Sequence, residues 1–585
     1  MNPPSVPGPL RRPATQVRDR LRSATARQRT ALERSRRRAR VTAPVRVVDP
    51  MQAEDAPVVA LGAGARLRAG LDGPWGLRVV GEDGLTVAGA LDGAAFALVE
   101  VPAQKRVPAT DAELARAAVA AGVPLVVWVT SSAGSPWSAT SEVAGLVAGL
   151  AGEGDSRVWL AADDADTARA WSAPEAFGRE VHHLPPAASP QRHSPRFGGT
   201  NARREPAAAL LGAQVPDLTA FAPVPHGLLD TWTPDDDALT SGTPVLARYR
   251  EVVGLGGDAR LGWPLIEAAT SAVSVVVDEP TARLLPGDVR EAVTVAEDAE
   301  ALRLDVAARL WQDEVTDRDS LIAARAARRA HTWEHRSRDI ERVVGIERPA
   351  RRRDTSVIVP TNRLHELDNV ADNIVRQAAN ATGDVQLVLV LHGLDVDPRT
   401  VAEGLREKGV EHAVVVPADK SLTLGACMNL GIDASDGRYI AKVDDDNFYG
   451  RHYLTDLVDS FDHSGAGIVG KWAHYVWLRS SGAVILRFPT AEHRRERLVQ
   501  GGAMLFDGDV ARELRFGDLP RAVDTDILTR ARQAGIETYS SDRFNFVSIR
   551  GTDRHAHTWP VADTAMMNRS GRVVFFGDPR PHVDI

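Results

Sequence analysis

A single cysteine, Cys427, stands in the whole sequence, so no intrachain disulfide can form and nothing asks for an oxidising compartment. Long apolar runs are also missing. No stretch of 18 or more apolar residues occurs, and no charged-then-apolar secretory signal opens the chain. These absences set the expectation of a cytoplasmic protein. Aromatic residues are sparse at 5%, and none interleaves the arginines near the start, which argues against base stacking and nucleic-acid binding.

What remains is an ordinary globular composition, with 44% hydrophobic and 25% charged residues. At 585 residues the chain is too long for one core, and about three or four domains are expected. The net charge of −8 conceals an asymmetry. Between Leu10 and Ala43 arginine recurs constantly, opposed only by Asp19 and Glu33. Residues 1–44 read as a basic tail outside the fold, suited to peripheral contact with an anionic membrane surface or polymer.

From about residue 45 to 345, strands and helices alternate as in a doubly wound parallel α/β fold. Apolar runs at Val58–Leu61, Leu77–Val80, Phe96–Val101 and Leu125–Val129 read as strands. A second lobe carries a helix at Leu261–Ala272 and a strand at Val273–Asp278, and Arg318–Glu341 reads as one long charged helix. Residues 346–353 form a basic linker, and a further α/β domain is expected over 354–585.

That last domain holds the densest chemistry. Thr355–Pro360, Val385–Leu391 and Ala413–Val416 read as buried strands separated by helices, and Tyr439–Val443 leads into Asp444, Asp445 and Asp446. In an extended chain Asp444 and Asp446 would point one way and Asp445 the other. Two carboxylates at the carboxyl end of a buried strand make a hard-oxygen site suited to Mg2+ or Mn2+. The same residues also suit a solvated Asx-turn. Asp524, at the start of the amphipathic segment Thr525–Ala534, is read as a general base or a helix N-cap, with Asp526 as the alternative.

The motifs SVIVPTNR, LGACMNLGIDASDGRYIAKVDDD and VDTDILTRARQAG follow one another over most of 354–560. In that order and spacing they resemble family-2 glycosyltransferases of the GT-A fold. The resemblance implies that Pro360, Thr361 and Asn362 line the base and ribose pocket, that Asp444 contacts the nucleotide, and that Asp446 binds the metal. Asn429 matches a recurring asparagine of the family, Asp524 its catalytic base, and His557 (or His555) a late metal ligand. Trp472, Trp477 and Trp559 offer an apolar platform for a sugar ring. One departure is that Val390-Leu391-His392-Gly393 stands where the family has an acidic pair reading the base; His392 or Asp395 would substitute. Earlier in the chain, HHLPPAASP (182–190), GWPLIEAATSAVSVVVDEP (262–280) and HTWEHRSRDI (331–340) resemble CgeB-like glycosyltransferases of the two-lobed GT-B type, with Glu267 at the position that contacts donor ribose. Together these imply a metal-dependent inverting transferase using Mn2+ or Mg2+. It would move sugar from a nucleotide-sugar donor, by family frequency a UDP-sugar, to a cell-envelope glycan or lipid-linked acceptor. The alternatives are a non-catalytic glycan- or nucleotide-binding scaffold and a bifunctional enzyme with two active transferase domains. A nucleotidyltransferase would need a glycine-rich basic loop after the first strand, and Thr361-Asn362-Arg363-Leu364 is not one.

Overall fold

The computed structural model describes residues 29–40, 56–103, 106–136, 141–150, 157–195, 204–212, 224–551, 563–567 and 570–585. Four sheets organise them. The first, of six strands, is parallel throughout and carries the apolar runs Val58–Gly62, Gly76–Val79, Phe96–Pro102 and Leu125–Thr130. The second, of five strands, is also wholly parallel and is centred on Tyr249–Gly254 between Ser274–Asp278 and Glu205–Leu211. Near-continuous Val, Leu and Ala in these strands follow from burial on both faces beneath crossover helices. The expected doubly wound pattern is present in both lobes.

The two lobes close against each other through large side chains. Trp263, on the helix Gly262–Thr270 of the second lobe, stacks on Trp333 with ring centroids 5.6 Å apart and meets Trp128 of the first lobe at 5.6 Å. Its Nε1 donates to Asp163 Oδ2 at 2.9 Å. Beside it the buried Glu267 accepts from Arg66 Nε at 2.8 Å, with His193 Nε2 3.8 Å away. Glu267 therefore serves a buried interlobe ion pair, not an open ribose site.

The C-terminal region is built on an eight-stranded mixed sheet. Its order is Ala413–Ala418, Val385–His392, Thr355–Thr361, Tyr439–Val443, Ala503–Asp507, Ile468–Gly470, Thr538–Ser540 and Arg494–Arg495. The first four strands are parallel, and Ala503–Asp507 runs against Tyr439–Val443. Chain order reverses between Thr355–Thr361 and Tyr439–Val443, so the crevice at their carboxyl ends is where an open α/β sheet takes its ligand. A second, five-stranded sheet containing His474–Leu478 and Phe546–Arg550 packs beyond it.

Three boundaries differ from the sequence reading. The expected Arg318–Glu341 helix is two, Asp313–Ala330 and Trp333–Val343, because Thr332 takes an extended conformation and caps the second through His335 N–H. Within the basic tail, residues 29–40 are helical and dock on the second lobe. Arg37 is buried there, donating to Asp230 Oδ1 at 3.1 Å and to Gly227 O at 2.8 Å. The rest of the tail, 1–28 and 41–44, lies outside the described residues. The basic linker is likewise anchored, with Arg351 and Arg353 reaching Asp462 at 2.7 and 2.6 Å on the helix Tyr453–Ser464.

Helix Asp313–Ala330 is the main strut between the N-terminal region and the C-terminal sheet. Arg325 makes a bidentate pair with Asp456 (2.7 and 2.8 Å) and donates to Ile585 O at 2.7 Å. Arg543, almost fully buried, meets Glu314 at 3.1 Å and Asp317 and Glu492 at 2.8 Å each. Both clusters are desolvated, so removing one partner leaves a buried charge. Arg325→Ala is expected to lower unfolding stability by about 3–5 kcal/mol. Adding Asp456→Asn to Arg325→Met should recover part of that loss in the same denaturant titration.

Two buried histidines add a pH term. Burial pushes His474 down to about 4 and His493 down to about 3. Both stay neutral in the folded chain, whereas in the unfolded chain they protonate near 6.5. Folding stability from this source is complete above pH 6.5 and falls as the pH drops towards 4. Denaturation midpoints measured from pH 7 to 4.5 should decline, with a shallower slope in His474→Gln.

Candidate functional site

The strand Tyr439–Val443 is wholly buried, and the chain turns sharply after it, so Asp444–Asp446 occupy a turn instead of continuing the strand. The alternation expected of an extended chain does not hold. Asp445 and Asp446 share one cation: Arg363 bonds both Asp445 oxygens and reaches Asp446 Oδ2 at 3.0 Å. Thr361 Oγ1 donates to Asp445 Oδ2 at 2.6 Å, which joins the end of the first strand to the acidic turn. Thr361 is buried, Pro360 half-buried and Asn362 exposed at the rim of the same crevice.

Asp444 pairs with a different cation. It accepts from Lys442 Nζ at 3.0 Å and from Asn447 Nδ2 at 3.3 Å. Its backbone N–H donates to Tyr449 Oη at 2.9 Å, and that hydroxyl donates to Gly502 O at 2.6 Å. Asn369 and Asn373, one helical turn apart on Leu367–Ala378, donate to the carbonyls of Asp445 and Asn447. The turn is thus fixed from three sides.

Asp524 arrives from the helix Val523–Gln533. It is not the N-cap: Ala522 holds that position in the left-handed region at φ 59°, with no capping side chain. Asp524 lies in the first turn, where the free N–H groups favour an anion. Its Oδ1 is buried, 3.4 Å from Lys442 Nζ, while the side chain as a whole is 34% exposed. Asp526, the alternative base, is instead paired with Arg530 at 2.9 Å. Gly501 and Gly502 pass between the two carboxylates: a Cβ on Gly501 would lie 2.1 Å from Asp524 Oδ2, and one on Gly502 2.2 Å from Asp444 Oδ2. Only glycine permits that approach.

Electrostatics follow from this crowding. Burial, then the nearby Asp444 charge, pushes Asp446 up to about 6 against the opposing pull of Arg363. Burial works against the Lys442 charge, but Asp444 and Asp524 together outweigh it and hold the ammonium charged.

The remaining expected residues divide. Asn429 has both amide ends engaged by the Phe516 backbone, donating to its O and accepting from its N–H at 2.9 Å each. It ties its helix to the loop before Asp524 with one amide hydrogen and one oxygen lone pair. His392 is half-buried at the end of the second strand, and its Nε2 has no hydrogen-bond partner. Asp395 is exposed beyond it. Trp472 stacks face to face on Phe488 at 4.1 Å, and Trp477 carries Arg479 at 5.0 Å. His555, His557 and Trp559 lie outside the described residues. Among the described residues no group of three or more His, Cys, Asp or Glu side chains converges to hold a metal, and no helix is long and apolar enough to cross a membrane. Lys442, Arg363, Asn369, Asn373 and Tyr449 were not anticipated. The one available signal was a lysine inside the otherwise apolar run Tyr-Ile-Ala-Lys-Val.

Comparison with curated proteins finds no match. Among solved structures, the chain is similar to the mannosyltransferase PcManGT from Pyrobaculum calidifontis in complex with GDP-Man and Mn2+ (15% identity, 34% of this chain, 57% of that one, TM-score 0.27). It is also similar to S. aureus TarS 1-349 in complex with UDP-GlcNAc (15% identity, 36% of this chain, 62% of that one, TM-score 0.29). The chain thus covers less than two thirds of either. The model for glycosyl transferase family 2 matches residues 356–508, which span the first strand, the acidic turn and Gly501-Gly502. That matched segment, about a quarter of the chain, carries Thr361 and the acidic turn of the crevice, while Asp524 lies beyond it.

Proposed function

We propose that the chain is a metal-dependent, inverting glycosyltransferase acting at the single crevice between Thr361 and Asp444–Asp446. The observation that carries this reading is that Asp444 and Asp446 stand at the carboxyl end of a central strand inside the family-2 segment, with Asp524, from beyond that segment, brought beside Asp444 by their shared contact with Lys442.

The residues present fit a divalent ion. Asp444 and Asp446 are hard-oxygen donors, and the burial and neighbouring Asp444 charge that push Asp446 up both disfavour its ionised form, a cost that a bound cation would relieve. Sites for Mg2+ or Mn2+ on nucleotide substrates commonly use one or two carboxylates and complete their shell with phosphate oxygens. Held there, the ion would offset the charge of the departing nucleoside diphosphate. Pro360, Thr361 and Asn362 border the space for the nucleoside. Asp524 accepts the proton of the acceptor hydroxyl as that oxygen attacks the anomeric carbon from the face opposite the diphosphate. The donor is read as a nucleotide-sugar, with UDP-sugars the first to test, and the acceptor as the hydroxyl of a cell-envelope glycan or its lipid-linked precursor.

The N-terminal lobes are read as a GT-B-like pair without activity of their own. The Trp128, Trp263 and Trp333 cluster and the Arg66–Glu267 pair fill the space between them. This favours a supporting role over a second transferase.

Nucleotide release from a panel of UDP-, GDP-, CDP- and dTDP-sugars with Mn2+ tests the reading. One donor class should be hydrolysed slowly by the intact chain, and Asp446→Ala should lower the rate about 100-fold or more. Asp524→Asn should keep donor affinity and lose about 100-fold or more in transfer to an acceptor. Equal rates in wild type and Asp446→Ala would refute the assignment. Gly501→Ala should resemble Asp524→Asn in transfer, because its methyl displaces the Asp524 carboxylate; an unaltered transfer rate would show that this close approach is not needed.

A further inference from the structure

We propose that Lys442 is a positioning residue of the transfer site, tying the base Asp524 to the donor-side Asp444 and thereby fixing which Asp524 oxygen meets the acceptor. This rests on the glycosyltransferase reading above and goes beyond it to a residue that carries no assigned role.

A lysine in the middle of a buried central strand needs an explanation, because its charge is costly there unless fully paired. Lys442 is 4% exposed, and its ammonium donates two hydrogen bonds and forms an ion pair with a third group. Gly501 O accepts at 2.8 Å, Asp444 Oδ1 at 3.0 Å, and Asp524 Oδ1 stands at 3.4 Å. These three groups come from the acidic turn, from the glycine pair and from the first turn of the base-bearing helix. The next strand of the sheet, Ala503–Asp507, pairs Met504 with Lys442 and so leads Gly501 directly over the ammonium.

The consequence for Asp524 is geometric. Its Oδ1 is sealed from solvent and makes no hydrogen bond, so the ion pair with Lys442 is what holds it. The 34% exposure of the side chain therefore falls on Oδ2 and the methylene. Lys442 orients the carboxylate so that Oδ2 faces the crevice, and holds it there before any acceptor arrives. Because the same ammonium bonds Asp444, the donor-side and acceptor-side carboxylates keep a fixed separation. A general base misplaced by about 1 Å loses on the order of 100-fold in rate, which sets the scale of the effect.

Lys442→Met removes the charge while nearly preserving the volume. In the full-length chain with Mn2+ and the donor found active above, it is expected to lower kcat for transfer by about 30-fold or more. Donor KM is expected to move less than about threefold, a split that general loss of packing would not produce. Adding Asp524→Asn to Lys442→Met should cost little more than Asp524→Asn alone. A second readout needs no turnover. Lys442→Met should lower the denaturation midpoint, and Asp524→Asn in that background should restore a large part of it, since one of two crowded carboxylates is then neutral. Wild-type kcat in Lys442→Met, or kcat and KM falling together, would overturn the proposal, as would additive midpoints for the two substitutions. A wild-type chain with no turnover on any donor would instead defeat the transferase reading, leaving the midpoint cycle to decide whether Lys442 holds Asp524.

Discussion

The buried ammonium of Lys442 between two carboxylates is the interaction on which the C-terminal site depends. Four acidic side chains, Asp444, Asp445, Asp446 and Asp524, are gathered at the end of one sheet, and like charges so placed repel unless cations are set among them. The fold supplies two. Lys442 rises from within the sheet between Asp444 and Asp524, and Arg363 reaches across from the first strand to Asp445 and Asp446. Each cation has a separate pair of carboxylates.

Support for that arrangement comes from well outside the family-2 segment. Tyr449 braces Asp444 and Gly502 and packs on Tyr453 and Phe546. Asp456 lies three residues beyond Tyr453 on the same helix, and there it is clamped by Arg325 of the N-terminal region. The helix Asp313–Ala330 is thus mechanically continuous with the acidic turn through a few packed side chains. A region whose own interlobe space is filled by tryptophans is thereby joined through buried ion pairs to the sheet that carries the acidic turn.

Much of this was legible in the sequence. Parallel buried strands announce themselves as short β-branched runs such as Thr-Ser-Val-Ile-Val and Val-Gln-Leu-Val-Leu-Val-Leu, and their order fixed the position of the crevice. The acidic turn and Asp524 were singled out by the order and spacing of the family-2-like motifs, since carboxylates at a strand end or a helix start also serve as Asx-turns and caps. Other features depend on distant partners and were not legible. Nothing local shows that Thr332 breaks a charged helix, that Arg37 folds back onto Asp230, or that Glu267 meets Arg66 across the lobes. The orientations within Asp444–Asp446 were misjudged because the period-two rule applies to a strand, and the chain had already left the strand at Val443. Nor does anything local show that Asn429 bonds the backbone of Phe516, far along the sequence.

Central to the account is one nucleotide site per chain, located in the family-2 domain. The most direct test is a calorimetric titration of the intact protein with the nucleoside diphosphate of its active donor in the presence of Mn2+. The account predicts one site per chain, lost in Asp446→Ala and retained in Glu267→Ala. Two sites, or binding that survives Asp446→Ala and disappears in Glu267→Ala, would contradict it.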